Sequence, residues 1–591
     1  MWKALARDVI CMISAVIVMT VIGAALWFAA VLWLLPPIRQ TDWWFCMPLL
    51  APVVVSLASV FFWAPLRGRA RRGQPITPPY WRDALILPVM AGVALGLGCL
   101  LTALLTGKRH DAATAFLLGL ALTIALALAA WFVVLVQRFT ARPARALAIA
   151  AAALIACWLG GRLVLDAWGG RMFAAYKPVA VAEIAAERQR IAADRRPVLF
   201  GAPIDDNAAD RYRRLTLTVL NKLKDTEARS GIGTAVRDGP GKPRSAEVAR
   251  WVELCRPELQ ALREAARCTR CDWHFAWERG PAAPIPSLLG ARQAANLLVI
   301  EGHQRAEAGD VAGAIERDLE VVRMGSDYES SGALIGSLIA LALERTGTEA
   351  LLQLVATDGL ASQPAWDEVQ TKLDLLEPRL ASVSVGYRGE RLDYVGWGSF
   401  MSGDYLVALV QPNLRPILAK ALDLFYPIRF VVADSLRTRT AMLRELEEAN
   451  ELADRREAIR LGQAASDRAL RSRNPLVRIA VPSLARARES QDLATARFRI
   501  LRAAIQLEKM WQKEGRYPAS AAAIDLPIDP FAYPAKLHYA SLADGRGYKL
   551  WSVGLNGKDD GGNAKDQADE VFERPARPAA AHAQVEKPVG H

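Results

Sequence analysis

Hydrophobic and polar positions are divided unevenly along this chain. Residues 9–35, 43–63, 84–107 and 112–137 contain no charged side chain, and a fifth such stretch, 146–161, carries on past Arg162 to about Trp168. A helix needs about 20 apolar residues to cross the hydrocarbon core of a bilayer, so the pattern predicts five transmembrane helices. Arg162 would snorkel to the interface with Asp166 one turn further on. Trp27, Trp33, Trp43, Trp44, Trp63 and Trp131 fall at or near stretch ends, as in an aromatic belt. Gly92/Gly96 and Ala115/Gly119 are small pairs four apart that would allow close helix contact.

Beyond residue 180 the pattern becomes amphipathic, with caps and Pro/Gly breaks. It predicts a helix over 181–194 and a Gly/Pro-rich loop over 231–245. Ser245 then caps one helix, and Pro257 opens another that ends near Arg267. Residues 291–308, 309–310 and 311–324 read as helix, turn and helix. The wording AEAGDVAGAIERDLEVVR is similar to a tetratricopeptide-type hairpin, with a vaguer second unit at 333–356. Stacked repeats need about three units, so a compact helical domain is expected rather than an array. Residues 386–403 are rich in Gly, Tyr and Trp and break the rhythm; they read as a loop, either lining a cleft or packed under helices. Residues 414–432 are too polar to span a bilayer and read as a domain-core helix. Residues 435–465 form a long charged helix with opposite charges at i,i+4. The last helix, 483–514, carries Leu493, Ile500, Leu507, Met510 and Trp511 on one stripe and stops at Gly515. A turn-rich passage and two strands, KLHYAS and GYKLWSVG, follow.

Charge sets the orientation. Lys3 and Arg7, then Arg67, Arg69, Arg71, Arg72 and Arg82, then Arg138, Arg142 and Arg145 mark the basic connections. Arg39 with Asp42, and Lys108 and Arg109 with Asp111, mark the poorer ones. The positive-inside rule puts the amino terminus in the cytoplasm and everything after Trp168 in the periplasm of a bacterium, as a multi-pass inner-membrane protein. Much of the net charge of +12 lies in these loops, where it would face lipid headgroups. Nucleic acid is excluded as a partner, because the basic loops are short and no recognition motif accompanies them. No Asp, Glu, Lys or His lies deep in an apolar stretch, which argues against transport.

Four of the seven cysteines, Cys11, Cys46, Cys99 and Cys157, lie in apolar stretches; Cys255, Cys268 and Cys271 lie beyond them. Cys255 and Cys268 flank a helix too long for a disulfide. Cys268 and Cys271 can pair locally in a disulfide, with free thiols as the equal alternative. Their CxxC follows a helix end rather than opening a helix, which argues against an activated thiolate. With His274 the spacing becomes C-x12-C-x2-C-x2-H, a crowded formal zinc set.

The ending carries a resemblance. Gly515–Pro518 (GRYP), Asp529–Pro530, Ser552–Gly554, Asn556–Gly557 and Asp559–Gly562 follow a long helix in the order found in the globular head of the major pseudopilin of type II secretion systems. That family binds calcium in the corresponding loop, so the resemblance implies a small α+β head and a calcium site. Independently, Asp559, Asp560, Asp566 and Asp569 crowd a Gly-rich loop, the hard oxygen set that calcium takes. Lys558 rules out an EF-hand. The chain opens on several apolar stretches instead of a basic leader and one apolar helix, so pilin-type processing is not implied.

The expected fold class is therefore a membrane α-helical bundle of five transmembrane helices over 1–170. A mainly α-helical domain follows over 171–482, then a pseudopilin-head-like α+β module over 483–572, with a disordered tail over 573–591. The expected function is that of a protein-binding or scaffolding component, with partners in a secretion or pilus-like envelope assembly and no catalytic residue singled out. The alternative is an envelope enzyme with a carboxylate site near Glu390, Asp393 and Asp404, or a redox site at the CxxC.

Overall fold

The computed structural model describes residues 143–577, apart from 224–225, 243, 358–364, 398–427, 453, 473, 475–476, 478–484 and 565–568. The first four predicted spans and their orienting charges, apart from Arg145, lie outside the described residues, as do Asp404, Asp566 and most of 414–432. The expected membrane-bundle fold class is corrected: no helix among the described residues is long and apolar enough to cross a membrane. The fifth predicted span shows the physical reason. It is the opening of a single 51-residue helix, α1 (Pro143–Ala193), whose charge-free part, 146–161, is about 24 Å long against a hydrocarbon core of about 30 Å. Beyond it the helix carries an Arg162–Asp166 ion pair at 3.2 Å and continues into polar sequence. The described chain is mostly helical with small sheets.

The chain forms two compact units. One comprises Met1–Ala174, Phe400–Ser435 and Leu470–Ile479. Within it, Asp166 accepts a hydrogen bond from Arg429 N at 3.2 Å, and Trp168 lies 5.3 Å from Phe430, centroid to centroid. The other comprises Ala175–Ser399, Leu436–Ala469 and Ala480–His591 and holds every site discussed below.

The second unit's early elements run β1 (Ile204–Asn207), α2 (Ala208–Lys222), α3 (Thr226–Asp238), α4 (Ala246–Leu254), α5 (Arg256–Ala265) and β2 (Cys268–Arg270). Then come α6 (Leu288–Glu307), α7 (Val311–Glu329), α8 (Leu334–Ala356), α9 (Trp366–Leu376) and α10 (Val383–Trp397). Helices α11 (Ile428–Asn450), α12 (Arg455–Leu470) and α13 (Ala485–Glu514) precede the three strands β3 (His538–Leu542), β4 (Gly547–Ser552) and β5 (Glu570–Arg574). The predicted hairpin is α6–α7: Asp310 caps α7 by accepting from Gly313 N at 2.9 Å. Ser245 caps α4, and Pro257 lies in the first turn of α5.

Three local expectations are corrected. The loop predicted over 231–245 is half helix, α3, because Gly231 is needed where Trp251 packs 3.3 Å from the site of its missing Cβ. The Gly-rich loop predicted from 386 is helix α10. Its glycines mark a face pressed on neighbouring backbone: a Cβ at Gly386 would lie 2.8 Å from Leu334, one at Gly389 would overlap Gly332 O, and one at Gly396 would overlap Gly280. The single helix predicted over 435–465 is two, α11 and α12, because Asp454 caps a new helix by accepting from Arg456 N at 2.9 Å.

One hydrophobic cluster runs from Leu319 and Val322 of α7 and Leu351 and Val355 of α8 to Phe498, Leu501 and Ile505 of α13 and Tyr548 and Leu550 of β4. The segment expected as a module over 483–572 thus shares buried residues with the helical hairpin. Its sheet has the order β3-β4-β5, antiparallel throughout. The third strand extends the fold beyond the expected boundary at 572: Arg574 is fully buried and donates to Ala356 O at 2.9 Å. Arg577 is hydrogen-bonded to Glu508.

Candidate functional site

Helix α7 is buried along nearly its whole length, yet its sequence, ERDLEVVRMGSDYE, is charged. The consequence is a polar node inside the unit, centred on Asp327. Arg323 Nε donates to both Asp327 carboxylate oxygens at 3.1 Å, the i,i+4 neighbour on the same face. The remaining guanidinium nitrogens reach Cys268 O at 3.0 Å and Pro197 O. Tyr212 OH donates to Asp327 Oδ2 at 3.0 Å. Asp327 O accepts from Trp273 Nε1 at 2.8 Å, Ser330 Oγ at 3.0 Å and Cys271 Sγ at 3.4 Å. Tyr212, Trp273 and Tyr328 pack around it with centroids 4.6–6.3 Å apart. One aspartate therefore ties α2, the segment after α1, and the chain around β2 to α7.

Beside this node lies a polar cavity of about 210 Å³, lined by Arg190, Asp194, Arg196, Glu329 and Arg379 with Cys271, Ser330 and Ser382, and by the apolar Ile191, Leu380 and Val385. Arg196 is buried. Its Nη1 donates to Ser326 Oγ at 3.3 Å, and its Nε pairs with Asp194 at 3.4 Å and Asp327 at 3.5 Å without forming a hydrogen bond. Asp194 is shared with Arg379, which with Arg196 outweighs burial and holds its carboxyl below the usual range.

The amino-terminal amides of α10 end on this cavity and beside it. Ala381 N donates to Glu344 at 2.8 Å, Ser382 N to Glu329 at 2.7 Å, and Val383 N to Gln491 at 2.8 Å. Side chains from α8, α7 and α13 thus satisfy donors that a helix start leaves open. Burial pushes Glu329 up to about 7 and Glu344 well above the usual carboxylate range. Elsewhere on α7, burial also raises Asp318 strongly and Glu320 to about 8. On α6, burial lowers His303 to about 4.

The residues singled out from sequence fall as follows. Cys268 and Cys271 are free, buried thiols. Cys268 lies on an extended strand, and three residues of extended chain span about 10 Å, beyond the ~7 Å a disulfide allows. Burial raises Cys255 and Cys268 to about 11 and Cys271 further, the opposite of an activated thiol. His274 is exposed and pairs with Asp272 at 3.1 Å. Glu390 and Asp393 share a helix, but the Glu390 carboxylate accepts from Leu334 N at 3.2 Å and caps α8, whose own N-cap, Ala333, has no side-chain acceptor.

In the acidic loop, Asp559 Oδ1 accepts from Trp551 Nε1 at 2.8 Å and Gly561 N at 3.0 Å. Its Oδ2 pairs with His538 at 3.3 Å. Asp569 accepts from Gly562 N at 2.8 Å and Asn563 N at 3.0 Å, and Asp560 accepts from Asn556 at 2.7 Å. These carboxylates face N–H donors, and no group of three or more His, Cys, Asp or Glu that could hold a metal occurs among the described residues. Asp566, the remaining expected calcium ligand, lies outside the described residues. The motif pieces are nonetheless wired together: buried Asp529 accepts from Ser552 Oγ at 2.7 Å, Phe531 N at 2.9 Å and Val553 N at 2.9 Å.

Sequence reasoning missed the cavity. The available signal was the density of charge on α7 within a hairpin whose small residues demand close packing. No family model matches this chain, and no curated protein or solved structure matches it either.

Proposed function

We propose that this chain is a protein-binding scaffold, working through the face where α2 crosses α6. The observation that carries the reading is the exposure of large apolar side chains next to that crossing. Gly290 sits against Thr216 O, and on either side of that crossing Leu217 is 50% exposed and Leu289 42% exposed, with Ile285 nearby in sequence at 53%. Arg214 stands three residues before Leu217 and Arg292 three after Leu289, both exposed, so each shares a helix face with its leucine. An apolar stripe with a basic border fits an acidic amphipathic helix, the helix-in-groove mode of recognition. The engagement of Glu390, Asp327 and the thiols inside the fold favours binding over the enzyme alternative. The resemblance of the ending to a pseudopilin head supports a partner in a secretion or envelope assembly, and placement at an inner membrane rests on the apolar stretches of residues 1–142.

The test is fluorescence anisotropy of the full chain with a labelled acidic amphipathic peptide and a charge-inverted control. Saturable binding of the acidic peptide, weakened at least tenfold by Leu217→Asp with Leu289→Asp, is expected. Equal binding of the two peptides, or no effect of the double variant, would exclude this face.

A further inference from the structure

We propose that the cavity beside Asp327 is a binding site for a small monocarboxylate with a short apolar tail, separate from the protein-binding face. The cavity measures about 210 Å³, and apolar cavities of roughly 150 Å³ already accept a benzene-sized ligand. Its charge is close to balanced, and the remainder is informative. Arg190 is paired with Glu187, Arg323 with Asp327 and Arg379 with Asp194. Arg196 only shares Asp194 and Asp327 with those other arginines, at 3.4 and 3.5 Å. A guanidinium has five N–H donors, and among the described residues that of Arg196 makes one hydrogen bond, to Ser326. A buried cation with unused donors, lining a cavity, is the arrangement that a carboxylate completes.

Three guanidiniums, Arg196, Arg323 and Arg379, share the two carboxylates of Asp194 and Asp327, and a monocarboxylate supplies the third partner. Glu329 lines the same cavity, where its neutral form supplies an O–H donor. Ile191, Leu380 and Val385, on the α1 and α10 sides, offer the apolar contacts that would select a hydrocarbon tail over a bare inorganic ion.

The test is calorimetric titration of the full chain with isovalerate, with inorganic phosphate as the anion that has no apolar tail. Val385→Phe places a ring in the cavity, and Arg196→Gln removes the cation. Melting temperature is recorded for both, so that loss of binding is separated from loss of fold. Saturable isovalerate binding is expected, at least tenfold tighter than phosphate and at least tenfold weaker in Val385→Phe, whose melting temperature stays near that of the wild type. No saturable binding of isovalerate to the wild type, unchanged binding in Val385→Phe, or tighter binding of phosphate would each overturn the assignment. Leu217→Asp with Leu289→Asp should leave isovalerate binding unchanged, which keeps this site's failure distinct from that of the peptide face.

Discussion

At the scale of single residues, the fold is held by buried polar side chains that each satisfy several backbone groups. Asp327 is the most connected. Removing one partner of a buried, hydrogen-bonded charge pair leaves the other uncompensated and costs about 3–5 kcal/mol. Asp327→Ala should lower stability by that amount in urea titration; a loss below about 1 kcal/mol would mean that Arg323 and Tyr212 find other partners. The raised carboxyls predict a direction with pH. Glu329 at about 7 and Glu320 at about 8 bind protons in the folded state that an ordinary glutamate has released. Their contribution is complete below about pH 4.5 and is lost as pH rises to 7–8. His303, lowered to about 4, acts oppositely, costing stability as pH falls from 6.5 towards 4. Between pH 6.5 and 8 the glutamates dominate, so stability should fall over that range. Glu320→Gln with Glu329→Gln should make the slope shallower, with Asp318 and Glu344 keeping their share, read from urea midpoints at pH 6.5 and 8. A slope parallel to that of the wild type would refute the assignment.

At the scale of elements, glycine is the sharpest example of how sequence misleads. Gly386, Gly389 and Gly396 look like a loop signature because glycine is usually read as freedom. Here they are one face of α10, and the missing Cβ atoms are what allow the helix to lie on Gly332 and Gly280. Gly389→Ala should therefore destabilise by about 1–3 kcal/mol through overpacking. Gly233→Ala, in α3 with nothing within 4 Å of the new Cβ, should stabilise by up to about 1 kcal/mol. If both substitutions behave alike in thermal melts, the packing explanation fails. The cap at Ser245, the stop at Gly515 and the α6–α7 hairpin were legible because each is a local rule. The capping of α8 by Glu390 and of α10 by Glu329, Glu344 and Gln491 was not legible, because each acceptor comes from a helix distant in sequence. The CxxC was misread for a similar reason: pairing by sequence spacing ignores the extended backbone that carries Cys268. In the acidic loop, with its described carboxylates on N–H donors, millimolar calcium should shift the full chain's melting temperature by less than about 1 °C. A larger rise, abolished by Asp559→Ala, would show that the loop rearranges around the ion.

At the scale of the molecule, the order of the terminal motifs suggested a head module following a helical domain, and the structure puts the two in one core. The stripe on α13 was visible in sequence, but its target was not: Ile500 and Leu507 join a cluster with Leu351 and Val355 of α8 as well as with Tyr548 and Leu550 of β4. A shared core makes the hairpin and the terminal sheet one cooperative unit, so a ligand in the Asp327 cavity or on the α2–α6 face would stabilise the sheet as well. The decisive measurement is native-state hydrogen exchange of the full chain across a urea series, comparing amides of α7, α8, α13 and β4. Fusion predicts a common opening free energy for all four, lowered equally by Phe498→Ala. Loss of protection in β4 and α13 while α7 and α8 stay closed would contradict it and restore the picture of two independent modules.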